Sequence, residues 1–61
     1  MKRGEDLIQD LREQGFMRCE TTEDGKAVIM RKGRRWTVVP LRWLTDEAVD
    51  TIKAQAGVSL V

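Results

Sequence analysis

KAVIMRKGRRWTVVP, running from Lys26 to Pro40, is the stretch that decides the fold. Two short apolar runs, Ala27 to Met30 and Trp36 to Val39, flank a basic turn containing one glycine. Runs of this length, rich in β-branched residues and broken by glycine, read as a β-hairpin. Lys32-Gly33 makes the turn. The second strand is Arg35 to Val39, ended by Pro40, which cannot donate to a ladder. The unbroken apolar run Ala27-Val28-Ile29-Met30 suits the centre of a sheet, so a further strand is expected beside it.

Phe16 to Thr22 supplies that strand, with Phe16, Arg18 and Glu20 on one face and Met17, Cys19 and Thr21 on the other. Thr22-Glu23-Asp24-Gly25 joins it to the hairpin, and Asp-Gly is a strong signal for a tight two-residue loop. Before it, Glu5 to Gln14 carries Leu7, Ile8 and Leu11 on one helical stripe, with Glu5 and Asp6 at the positive end of the dipole and Gly15 as the terminator. After the hairpin, residues 41–44 read as a linker and Thr45 as a helix N-cap followed by Asp46 and Glu47. Leu44 and Val49 stand at the two positions of a hydrophobic staple. Ala48, Val49, Ile52 and Ala56 form the buried stripe, and Gly57 stops the helix. Val58 to Val61 is an apolar tail that could pack beneath the sheet or join a partner's edge. The order α-β-β-β-α predicts an α+β fold of two layers: a three-stranded antiparallel sheet with both helices on one face, in a single domain over residues 1–61.

Sixty-one residues give a thin core, and one cysteine permits no internal disulfide. Such a chain is expected to gain from self-association, through the tail or an edge strand. No apolar run approaches the ~20 residues of a membrane span. No apolar segment follows the basic start, as a secretory leader would require. The expectation is a soluble, cytoplasmic chain without membrane contact. The formal net charge of +1 conceals a segregation: residues 26–42 hold six basic residues and no acid, while the remainder holds five basic residues against all ten acids. Charge gathered on a compact hairpin concentrates the field there.

Arg31, Lys32, Arg34 and Arg35, with Lys26 and Arg42 flanking them, are the candidate contact residues. Arginine grips phosphate bidentately and lysine acts as a point charge. Nucleic acid, RNA before DNA, is the first expected partner, since a duplex RNA is read through shape and phosphates. An acidic protein surface is the second, as for an interaction or inhibitor protein of the kind phage and mobile elements encode. A solvated tip that deters edge pairing is the plainest reading. Trp36 and Trp43 are each candidates for stacking on bases or anchoring an interface as well as for the core; for Trp36, inside an alternating strand, the core is favoured. Trp43, between Arg42 and Leu44, fits core and contact surface equally. Cys19, beside Glu20, reads as a buried structural thiol, and Met17 and Met30 as packing residues. One cysteine without histidine cannot build a zinc site, and no glycine-rich phosphate loop exists, so no metal or cofactor is expected.

Taken along its length the chain resembles HicA-type mRNA-interferase toxins. The likeness is carried by the first helix through Leu11, Gly15-Phe16, the segment Gly33-Arg34-Arg35-Trp36-Thr37-Val38-Val39-Pro40, and the final Lys53-Ala54-Gln55-Ala56-Gly57-Val58. The resemblance implies a fold similar to the double-stranded-RNA-binding domain, RNA as target, and an antitoxin as protein partner. It also implies a catalytic histidine near the start of the second strand. Here that region is Glu23-Asp24-Gly25-Lys26, and the chain has no histidine. Without imidazole, the side chain suited to acid–base work near neutral pH is missing. The expectation is therefore a binding module, not a ribonuclease.

Overall fold

The computed structural model describes residues 1–58. Its elements are β1 (Lys2–Arg3), α1 (Gly4–Glu13), β2 (Met17–Thr21), β3 (Ala27–Lys32), β4 (Arg35–Pro40), β5 (Trp43–Leu44) and α2 (Asp46–Gln55). β2, β3 and β4 form one antiparallel sheet in that order. The two helices cover one face of it. β1 pairs with β5 in a separate two-stranded ribbon, Lys2 opposite Leu44 and Arg3 opposite Trp43. The expected linker thus contains a strand. Two-residue strands carry no periodicity of their own, and this one exists because the start of the chain lies beside it.

The β3–β4 turn sets the register. Gly33 has φ +60° and Arg34 does not take positive φ, the pattern of a type II′ turn with glycine first. Lys32 is then opposite Arg35, Arg31 opposite Trp36, Met30 opposite Thr37, Ile29 opposite Val38 and Val28 opposite Val39. Val28, Met30, Thr37 and Val39 are buried and form the inner face. Leu7, Ile8 and Leu11 of α1 and Val49 and Ile52 of α2 close over them, with Phe16, Leu44 and Ala56 completing the core. Thr37 is the single buried polar residue among those described, and its hydroxyl donates to the Ile52 carbonyl at 3.4 Å.

β2 departs from simple alternation. Arg18 pairs with Met30 but Glu20 with Ile29, so Cys19 is an extra residue in a β-bulge. The bulge puts Met17 and Glu20 on the outer face and Arg18 and Thr21 on the inner one. Every β2 residue is exposed. Cys19 is an exposed thiol, not a buried one, because the bulge lies on an edge strand. Met30 packs in the core as expected, whereas Met17 is 71% exposed, since no helix covers its face. The β2–β3 loop is also longer than Asp-Gly suggested. Thr22 N–H donates to the Ala27 carbonyl across the four residues between them. Asp24 fastens the loop by accepting from the Thr22 hydroxyl at 2.7 Å and the Lys26 N–H at 3.0 Å.

Both helices end where the sequence places their stops, and the Thr45 hydroxyl accepts from Ala48 N–H at 3.1 Å, as an N-cap should. Val58 packs against the core; the rest of the tail lies outside the described residues. At the other end, α1 begins hard against the backbone after β4. A Cβ on Gly4 would stand 2.0 Å from the Pro40 carbonyl oxygen, and Gly4 N–H donates to Arg42 O at 2.8 Å. Only glycine fits. Gly4→Ala should destabilise the fold by about 2–3 kcal/mol through overpacking, lowering the thermal midpoint by roughly 10–20 °C. Circular dichroism melts of the two proteins check it.

Candidate nucleic-acid interface

The basic residues do not form one patch. Register alternation divides the turn end of the hairpin between the two faces of the sheet. Arg31 shares the outer face with Trp36 and Met17, in one row across the three strands. Lys32 and Arg35 turn the other way, toward the helix layer. Lys32 Nζ donates to the carbonyl of Gln14, the C-cap of α1, at 2.7 Å. One Nη of Arg35 donates to the carbonyl of Gly57, just past the C-cap of α2, at 3.0 Å. Each cation closes the negative end of one helix. Lys26 and Arg42 stand at the opposite end of the hairpin, roughly 17 Å away along β3.

Two cations remain for a ligand at the turn. Arg31 donates its Nε to the Gly33 carbonyl at 2.8 Å, which steadies the guanidinium while leaving both Nη groups outward. Arg34 occupies the second position of the turn and makes no hydrogen bond among the described residues. No carboxylate of the described residues lies within ion-pairing distance of any basic residue at this end; the two ion pairs present join the N-terminus to Asp46 and Lys2 to Asp10. Among the described residues, therefore, no carboxylate neutralises the positive field at this end.

Trp36 is the residue that sequence reasoning misplaced. It is 61% exposed because the turn puts Thr37 and Val39, not Trp36 and Val38, on the covered face. With both strands apolar on both faces, alternation alone could not choose; the two-residue loop, which sets Trp36 opposite the charged Arg31, was the available signal. Trp43 is 59% exposed and lines a second cleft with Arg3, Gly4, Glu5 and Arg42. Arg3 enters there through the unforeseen β1–β5 pairing. Among the described residues no group of His, Cys, Asp or Glu is placed to hold a metal ion, and no helix is long and apolar enough to cross a membrane.

The two hairpin arginines should separate by role. Arg35→Ala is expected to lower stability by about 1 kcal/mol through loss of the bond at the end of α2, while Arg34→Ala stays within ~0.5 kcal/mol of the parent; urea titrations measure both. Asp24, held below the ordinary carboxylate range first by the Thr22 hydroxyl and then by Lys26 N–H, supports the Lys26 loop at neutral pH. A carboxyl whose pKa is lowered on folding stabilises above its unfolded pKa and loses that contribution as pH falls through the folded value. Asp24→Asn, which keeps an acceptor but cannot titrate, should therefore show a shallower stability loss than the parent below about pH 4. Comparison of the chain with family models, curated proteins and solved structures finds no match in any of the three, so the reading of this surface rests on its own geometry.

Proposed function

We propose that the chain is a non-catalytic RNA-binding module that meets its target with the outer face of the β2–β3–β4 sheet at the turn end. The observation that carries this reading is the open row of Met17, Arg31 and Trp36, with Arg34 at the adjacent turn. Arg31 and Arg34 bind phosphates, and Trp36 offers a flat aromatic surface beside Arg31 on the edge strand β4. A base stacks on such a surface only when it is unpaired. The favoured target is accordingly a structured RNA that displays an unpaired base, such as a stem-loop, in preference to an uninterrupted duplex. Lys32 and Arg35, bound to helix ends, contribute long-range field more than direct contacts. The resemblance to HicA-type toxins points to RNA as well, and the absence of histidine is why binding rather than cleavage is proposed.

Fluorescence anisotropy with a labelled stem-loop and its fully paired counterpart tests the proposal. Arg31→Glu with Arg34→Glu should weaken both RNAs at least tenfold, about 1.4 kcal/mol, with an unchanged circular dichroism spectrum. Trp36→Ala should weaken the stem-loop alone, by the ~1–3 kcal/mol of one stacked base. Two phosphate contacts give a logarithmic salt slope of roughly −1.5 to −2. Salt-insensitive or absent binding to both RNAs by the parent chain would transfer the surface to a protein partner.

A further inference from the structure

The two edges of the sheet are built differently, and the difference points to a partner. β2 bears Arg18 and Glu20 and is bulged at Cys19, devices that blunt an edge against pairing. β4 has neither between its ends: Trp36, Thr37, Val38 and Val39 run without charge or bulge. Its hydrogen-bonding phase follows from the turn. In a two-residue loop the closing pair, Lys32 and Arg35, is hydrogen-bonded, so the next pair is not. Leu41 N–H donating to Lys26 O at 2.8 Å keeps the same phase six residues on. Trp36, Val38 and Pro40 therefore turn their backbone groups away from β3. Pro40, which has no N–H, sits where none is needed. No hydrogen bond among the described residues reaches the backbone of Trp36 or Val38.

The groove along this edge is closed on its far side by α2, whose Ala48, Thr51 and Gln55 line it. These three follow the 3–4 spacing of a single helix face, and none is charged, in a chain of which 34% is charged. Strand edge and helix face form one stripe that is uncharged along its middle, with Arg34 and Arg35 at its turn end and Arg42 and Glu47 at the other.

We infer that the occupant is a second copy of this chain, joined β4 to β4 in an antiparallel two-fold pairing centred on Thr37. In that register Trp36 of each copy exchanges both backbone hydrogen bonds with Val38 of the other. The charges are compatible as well: Arg35 falls opposite Val39 and Arg34 opposite Pro40, so no cation faces a cation. Shifting the centre to Val38 would set Arg34 against Arg42 and put Pro40, without an N–H, opposite Trp36. An isologous contact needs one self-complementary patch, and this stripe is one. The product is a continuous six-stranded sheet whose outer face carries two copies of the Arg31–Trp36 row.

Sedimentation equilibrium of the full chain, from low micromolar to submillimolar concentration, should show mass rising from 7.0 kDa toward twice that value. Amide exchange at Trp36 and Val38 should slow with concentration by at least ~10-fold. Val38→Pro removes only an N–H that makes no bond within the chain, so it should leave the circular dichroism spectrum intact and raise the dissociation constant at least ~10-fold. Thr51→Arg, an exposed change on the helix side of the groove, should do the same without touching the strand. A monomer at every concentration with freely exchanging Trp36 and Val38 amides would overturn the inference. So would a dimer indifferent to both variants, or a parent monomer that dimerises only when residues 59–61 are removed, which would show the tail covering the edge. RNA binding by a chain that stays monomeric would leave the proposed function standing and remove only the dimer.

Discussion

Everything on both faces of this sheet depends on the β3–β4 loop being two residues long. With Gly33 first and Arg34 second, positive φ falls on glycine alone and the strands leave the turn with the twist the sheet requires. Had the loop been three residues long, Gly33 to Arg35, the pairing would slip by one and the side-chain assignment of β4 would invert, because a strand's period is two. Trp36 and Val38 would then face the helices, while Thr37 and Val39 faced solvent. In the observed register the α1 stripe of Leu7, Ile8 and Leu11 shares the core with Val28, Met30 and Val39. Turn chemistry, core packing and surface composition thus agree on a single register.

The same register explains why a strongly basic hairpin is not a uniform basic patch. Cations at successive positions alternate between faces, and those facing inward at the end of the sheet arrive where both helices terminate. Lys32 and Arg35 meet carbonyls there that would otherwise lack partners. A contribution of about 0.3–1 kcal/mol is typical of a cation at a helix end. That is enough to hold the side chains in place, yet no larger than one exposed ion pair, so a nearby phosphate competes for them on even terms. The turn therefore offers two cations directly and two more in reserve. Among the described residues no carboxylate pairs with a cation at the turn, which keeps the field positive where the arginines project.

Elements whose signals are local were legible in the chain alone: the two helices with their glycine stops, the Thr45 cap, the Leu44–Val49 staple, the three strands and their order. Each depends on residues within one turn or one loop of each other. What was not legible depends on contacts distant in sequence. The β1–β5 ribbon joins residues about forty apart, and the bulge at Cys19 is visible only against β3. Trp36 was misassigned for a related reason. Hydrophobicity marked its strand as apolar on both faces, and choosing a face required the turn type. The candidate residues were found by charge, but charge carries no information on direction. Lys26 and Arg42 therefore stand apart from the turn, and Lys32 and Arg35 point behind it.

The placement of the aromatic residues carries the functional argument furthest. The chain has three, Phe16, Trp36 and Trp43, and of these only Phe16 is in the core. Burying an indole removes about 150–250 Å² from water, worth roughly 4–6 kcal/mol by area. Partial cover lowers what is forgone here, but two tryptophans more than half exposed still leave several kcal/mol unused in a domain whose total stability is of order 5–10 kcal/mol. Stability of the isolated chain does not account for that arrangement. On the proposed reading, the area withheld from the core is recovered when a base or a second strand covers it. Arg31 beside Trp36 is why an anionic, stacking ligand is the one proposed for the outer face. The uncharged edge of β4 meets a different requirement, and the two surfaces can be filled together because the side chains of Trp36 and Val38 stand on one and their backbone lies on the other.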